Sequence, residues 1–358
     1  MVGAGARGPG ITLCRPLDPS PMSSPTLPRT ISDRSAGSWL LVVGMHRSGT
    51  SAIAGALGAL GFNTPRPDDR MYWPESNPEH WESRSLGHYN DKLLADLGGS
   101  WEAPPEVSPK WEEGSTMSGV PDPAPLLSAA YPEPGARVWK DPRLSLLLPF
   151  WRPVLPAPLA AVLVWRSPLA VARSLQRRDG MHLADGIALW ERYNRSALTN
   201  LVGLDTFVCS YESVLGDPTE AMSTVADWLS TLPQFSDESR RWDRRGSAAA
   251  IVESASRHSD DDGSDLLLAQ HHELGHCLSR LEGGHMSLEP TSLPRESGWT
   301  SALLAARSGS RTREFQTQIE KKQNELDQLR GSTSWRVTKP LRSVISALHS
   351  FRSNSLNP

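Results

Sequence analysis

WLLVVGMHRSGTSAIAGALGALG, residues 39–61, changes its period halfway along. Trp39 to Val43 is a short run of apolar residues, the pattern of a buried strand, and Gly44 ends it. A polar turn, Met45-His46-Arg47-Ser48-Gly49, follows. From Thr50 the apolar residues Ile53, Leu57 and Leu60 recur at helical spacing, and Gly61 stands where a helix ends. Strand, glycine-bounded loop and helix in this order form a phosphate cradle, because loop amides and the positive end of the helix dipole face the same point.

The spacing Gly44-x4-Gly49 is that of a nucleoside-triphosphate loop, but Thr50-Ser51 follows where such a loop carries Lys and then Ser or Thr. The cation lies inside the loop instead, at Arg47. Without the lysine that reaches the β- and γ-phosphates, a kinase or other P-loop nucleotide-binding protein loses its main electrostatic clamp. The loop reads as an anion site without a magnesium triphosphate.

Beyond this stretch, strand and helix patterns alternate. Arg137 to Lys140 is a second strand, followed by Asp141-Pro142-Arg143 and a short apolar helix, Leu144 to Trp151. LAAVLVW, Leu159 to Trp165, is continuously apolar, as a strand covered on both faces requires. Ser167-Pro168 after it is a helix start. Further helices are expected over about 86–97, 184–201 and 218–229, and a fourth strand over Thr206 to Tyr211. The expected fold is α/β: a P-loop-like parallel sheet flanked by helices, with a short helical C-terminal appendage.

The domain is expected over 37–240, after a Gly/Pro/Ser/Arg-rich disordered arm at 1–36. Residues 241–300 are polar, with an acidic run at Asp260-Asp261-Asp262, and read as a loosely structured extension. Residues 301–358 read as a helical tail, whose 311–330 helix has the narrow apolar stripe Phe315, Ile319, Leu326 and Leu329. The segment 63–82 reads as a long ordered loop in which Tyr72, Trp73 and Trp81 need burial or a ligand, and 104–134 as an irregular lid or insertion.

The net charge of −3 supplies no field for nucleic acid, and none is expected as a partner. Cys14, Cys209 and Cys277 have neither metal nor disulfide spacing, which fits a reducing compartment. No apolar run approaches the roughly 18 residues of a membrane span, and the N-terminus has no signal-peptide core; a cytoplasmic protein is expected.

Arg166 ends the third strand, where doubly wound sheets bind ligands, and Ser174 follows about two helical turns later. A guanidinium and a hydroxyl so placed can grip a second phosphate; a local ion pair of Arg166 is the plainer alternative.

GMHRSGTS (44–51), VWKDPRL (138–144) and VWRSPLAVARSL (164–175) resemble the sulfotransferase family, and NPEHWE (77–82) and SYESVLGDP (210–218) resemble its bacterial members. The resemblance covers roughly 38–232. It implies 3′-phosphoadenosine 5′-phosphosulfate as donor and no metal. Its 5′-phosphosulfate would lie on Arg47, Ser48, Gly49, Thr50 and Ser51, and its 3′-phosphate on Arg166 and Ser174. It further implies Glu82 or His80 as the base for the acceptor hydroxyl, with Lys140 assisting at the sulfonate. The alternatives are that Glu82 pairs with Arg84 or Arg70 on the surface and Lys140 with Asp141. Loops 64–82 and 101–134 would choose the acceptor.

His272-Glu273-Leu274-Gly275-His276 is an H-E-x-x-H pattern and raises a zinc hydrolase as an alternative. The longer form with a third histidine fails at Ser279 and Glu282, leaving Glu289 or Glu296 as distant ligands. Asn194-Arg195-Ser196 is a glycosylation sequon read as helix surface.

After Asp327 the tail carries only basic charges, with Trp335, Val337, Leu341, Ile345 and Phe351 among them. That is the composition of an interfacial helix on anionic lipid, and Ser332 to Arg336 resembles tails of bacterial surface-polysaccharide enzymes. A glycan or glycolipid acceptor and peripheral contact with the inner membrane face are the expectation. Docking of the tail on its own domain, or self-association through the 311–330 helix, is the alternative.

Overall fold

The computed structural model describes residues 37–72, 80–105, 121–155, 158–236, 245–253 and 267–309, and the single residues 317, 321, 325 and 328. The arm at 1–36 and the expected tail beyond 309, apart from the four single residues, lie outside these residues; those four are helical.

Five strands form one sheet: β1 (Trp39–Val43), β2 (Arg137–Lys140), β3 (Leu159–Trp165), β4 (Asp205–Ser210) and β5 (Gly283–His285), in the order β2-β1-β3-β4-β5. The first four are parallel, and β5 runs antiparallel at the edge. The chain leaves β1 for β2 on one side and later returns to β3 on the other. The crevice at the C-terminal ends of β1 and β3 is therefore a topological switch point, where such sheets bind ligands.

The helices are α1 (Thr50–Leu60), α2 (Arg84–Asp96), α3 (Ala124–Ala130), α4 (Leu144–Trp151), α5 (Pro168–Asp179), α6 (Leu183–Asn200), α7 (Tyr211–Gly216), α8 (Pro218–Thr231), α9 (Arg245–Glu253), α10 (Ala269–Arg280) and a last one over 298–309. Period-two alternation in β1 divides the core. Trp39, Leu41 and Val43 pack on one face with Leu86, Trp151 and Trp190 of α2, α4 and α6. Leu40 and Val42 pack on the other with Ile53, Val225 and Val252 of α1, α8 and α9. Both faces are covered, so the central strands β1 and β3 are apolar throughout.

Several boundaries differ from those expected. Tyr211 is not the end of β4 but opens α7, because the Ser210 hydroxyl accepts from the Ser213 amide and caps that helix. Helix α3 forms inside the stretch expected to be irregular, where Leu127 and Ala130 are buried. Tyr72 is 67% exposed rather than buried.

The largest correction concerns 241–300. Residues 267–309 are built into the domain: α10 packs on α6, and β5 extends the sheet. Fully buried Glu191 of α6 accepts from the Ser297 amide (2.9 Å) and hydroxyl (2.8 Å) and from the Thr300 hydroxyl (2.6 Å). Arg192 pairs with Glu296 at 2.8 Å and Arg307 with Asp185 at 2.7 Å. These partners lie about a hundred residues from α6 in the chain and have no local periodicity to announce them. Asn194 is also fully buried, with its amide donating to the Trp190 carbonyl at 2.8 Å, so the sequon is not on the helix surface.

Candidate active site

The loop between β1 and α1 requires its two glycines. Gly44 has φ 145°, and a Cβ there would lie 2.1 Å from the Val164 carbonyl oxygen of β3. Gly49, with φ 90°, would place a Cβ 2.1 Å from the Tyr211 ring. Arg47 adopts φ 69°, a left-handed conformation uncommon for a residue with a side chain and frequent at functional turns. The Gly44 amide donates to the Ser145 hydroxyl at 3.1 Å, anchoring the loop to α4 about a hundred residues later in the chain. Helix α1 begins at Thr50, so the first-turn amides open towards the loop.

Three elements meet at Arg47. Its Nε donates to Ser174 Oγ of α5 at 2.9 Å, and Arg166 Nη1 donates to its carbonyl at 3.4 Å. Arg166, just past β3, also lies 5.1 Å over the Tyr211 ring and 3.8 Å from Glu212 Oε1. Glu212 in turn accepts from the Ser167 amide at 3.1 Å, and the Ser167 side chain makes no cap bond of its own. Arg166 and Ser174, eight residues apart, thus both lie at the loop.

A second charged group borders the first. Glu82, 5% exposed, is ion-paired with Lys140 and lies 3.5 Å from Arg143. Lys140 Nζ also donates to the His80 carbonyl at 3.2 Å, and that carbonyl accepts from Ser51 Oγ at 3.3 Å. Asp141 is matched by Arg143 (3.0 Å) and by Asn90 (2.9 Å), and Arg143 also takes Asp91 at 2.6 Å. Neither surface pairing of Glu82 occurs: the carboxylate points inward, and Arg70 and Arg84 donate to backbone carbonyls instead. Lys140 does not pair with Asp141, whose two oxygens are already engaged.

The electrostatics reflect burial and cations crowded around the loop. Burial, then the guanidiniums of Arg178 and Arg166, push the Arg47 pKa down. Burial, with Lys140, Arg47 and Arg178, pushes His80 down to about 3, so its imidazole is neutral at physiological pH. His46 is also driven well below its usual value, by burial first and then by Arg143, Arg178 and Lys140. Ser48 Oγ and His80 Nε2 are buried without a hydrogen-bond partner among the described residues. Buried orphan groups beside crowded cations are the polar remainder that a bound anion would satisfy.

The sequence did not single out Arg178. It lies one turn beyond Ser174 on α5, 5.4 Å over the Trp101 ring, and Trp101 stands 4.5 Å from His46. The i, i+4 spacing from Ser174 was the available signal.

His272 and His276 lie one turn apart on α10 and line, with Cys277 and Arg280, a cavity of about 550 Å³. Glu296 is occupied by Arg192, and no group of three His, Cys, Asp or Glu side chains suited to a metal occurs among the described residues. The zinc-hydrolase reading therefore lacks its third ligand there. No helix among the described residues is long and apolar enough to cross a membrane.

No family model and no curated protein matches the chain. Among solved structures it is similar to a "Sulfotransferase Domain from the Curacin Biosynthetic Pathway", with 14% identity and a TM-score of 0.36 over 77% of this chain and 98% of that one.

Proposed function

We propose that the chain transfers a sulfuryl group from 3′-phosphoadenosine 5′-phosphosulfate to a hydroxyl of a glycan or glycolipid. The observation that carries this reading is the meeting of Arg47, Ser174 and Arg166 on a glycine-bounded loop. The sequence motifs at those positions resemble the sulfotransferase family. In this reading the 5′-phosphosulfate lies on the loop amides with Arg47, Ser48, Gly49, Thr50 and Ser51. The 3′-phosphate takes Arg166 and Ser174.

In the transfer, the bond from sulfur to the 5′-phosphate oxygen breaks and a bond to the acceptor oxygen forms, while the acceptor loses its proton. Negative charge grows on the departing phosphate oxygen, and in this reading the Arg47 guanidinium meets it. Glu82 takes the proton. That frees Lys140 from its ion pair to face the sulfonate. The glycan class is supported by the likeness of the tail to those of surface-polysaccharide enzymes, and the basic, apolar tail would hold the protein at an anionic inner leaflet.

The expected result of a thermal-shift panel is stabilisation by adenosine 3′,5′-bisphosphate with no added metal. At about a hundredfold its Kd the ligand should add about 2.7 kcal/mol. Protection by ATP with magnesium, and none by the bisphosphate, contradicts the proposal.

A further inference from the structure

Trp81 is one of three non-glycine residues with positive φ among the described residues, at 54°, and it separates His80 from Glu82. A left-handed residue lacks the backbone freedom of glycine, so something must hold it there. Two neighbours do. The indole fills the space left by Gly55 of α1, where a Cβ would lie 2.7 Å from Trp81 Nε1. The Arg70 guanidinium lies 4.6 Å over the ring and is itself tied to the Pro65 carbonyl (2.8 Å) and Thr64 Oγ1 (2.7 Å).

The kink has a consequence on each side of it. The His80 carbonyl before it and the Glu82 carboxylate after it meet the same ammonium, that of Lys140. In an extended chain, the carbonyl of one residue and the side chain two positions on have no reason to converge on one cation. The Glu82 backbone is fixed as well, its carbonyl accepting from the Met71 amide at 2.9 Å. Lys140 and Glu82 are thus set by a wedge whose indole packs on Gly55 and Arg70.

We propose that Trp81, wedged between Gly55 and Arg70, is the positioning residue that delivers the His80 carbonyl and the Glu82 carboxylate to Lys140 at the edge of the anion loop. Its catalytic consequence rests on the function proposed above; the placement of Lys140 does not.

The test uses the full chain. Trp81→Ala and Gly55→Ala, which push on the wedge from opposite sides, are compared with Trp81→Phe, which keeps an aromatic ring. Lys140, buried in the wild type, is labelled with an amine-reactive ester and read by mass spectrometry. Labelling at Lys140 should rise about tenfold in both alanine variants, and remain near wild type in Trp81→Phe. In turnover of labelled 3′-phosphoadenosine 5′-phosphosulfate, kcat should fall about tenfold while bisphosphate affinity stays within about twofold, with Trp81→Phe restoring most of the rate.

Unchanged Lys140 labelling in a folded Trp81→Ala or Gly55→Ala chain overturns the proposal, as does equal loss of bisphosphate affinity and kcat. Should Trp81→Ala fail to fold, Gly55→Ala and Trp81→Phe give the same comparison. A wild-type chain that binds no bisphosphate contradicts the sulfotransferase reading, and the labelling result still decides the role of Trp81.

Discussion

Glu82→Gln is expected to lower sulfuryl transfer about 100-fold or more while leaving bisphosphate binding within about twofold. The amide keeps the volume of the carboxylate but cannot take a proton from the acceptor. It also leaves Lys140 and Arg143 without the counter-charge they share. The proposed donor grip rests on other residues, Arg47, Ser174 and Arg166, which meet at the loop, so binding should survive. His80→Ala should cost much less, because burial, Lys140, Arg47 and Arg178 hold that imidazole at a pKa of about 3 and leave it little affinity for a proton. A radiolabelled sulfate-transfer assay beside calorimetry of bisphosphate binding separates the two effects. Full activity of Glu82→Gln with loss in His80→Ala would exchange the roles.

The second large effect is on stability. Glu191→Ala should lower the unfolding free energy by about 3 kcal/mol, because it leaves the polar groups of Ser297, Thr300 and His271 buried without their acceptor. His271 Nε2 lies 3.2 Å from the carboxylate, and its Nδ1 accepts from the Leu268 amide at 3.0 Å. Burial alone would raise the Glu191 pKa; the hydrogen bonds from His271, Thr300 and Ser297 outweigh it and hold the group at about 2. The folded pKa is therefore below the ordinary value near 4.5, so the stabilisation is present above pH 4.5 and is lost as pH falls towards 2. Urea unfolding across that range should show a steeper acid limb in the wild type than in Glu191→Gln. Identical limbs would mean that the network does not attach 267–309 to α6.

What was legible in the sequence is what is local. The apolar run of β1, the glycines at 44 and 49 and the change to helical period specify strand, loop and helix without any distant partner. The eight-residue offset from Arg166 to Ser174 is also local, being a matter of helical turns. Glu82 was legible as a candidate but not in its setting: its cations come from Lys140 and Arg143, across a separate strand, and only the kink at Trp81 turns the carboxylate towards them.

Strand β5 was invisible because Gly283-Gly284-His285 has no β-branched or aromatic residue. It forms because β4 would otherwise present an unpaired edge, and because Gly284 leaves room for the Trp228 ring, 2.1 Å from where a Cβ would stand. Helix α10 was hidden by its three histidines, one of which, His271, is a buried partner of Glu191 and not part of the H-E-x-x-H pattern. Polar residues that face a buried carboxylate read, in sequence alone, as surface.

The central claim is that the chain grips two separate anions of one nucleotide, with Arg166 on the 3′-phosphate. Titration calorimetry of Arg166→Ala tests it most directly, using adenosine 3′,5′-bisphosphate and adenosine 5′-phosphosulfate, which lacks the 3′-phosphate. A charge-assisted contact of this kind accounts for about 10- to 100-fold in affinity, so the bisphosphate should weaken by that factor and the phosphosulfate by no more than about threefold. Equal losses for the two ligands would contradict the claim and remove Arg166 from the 3′-phosphate.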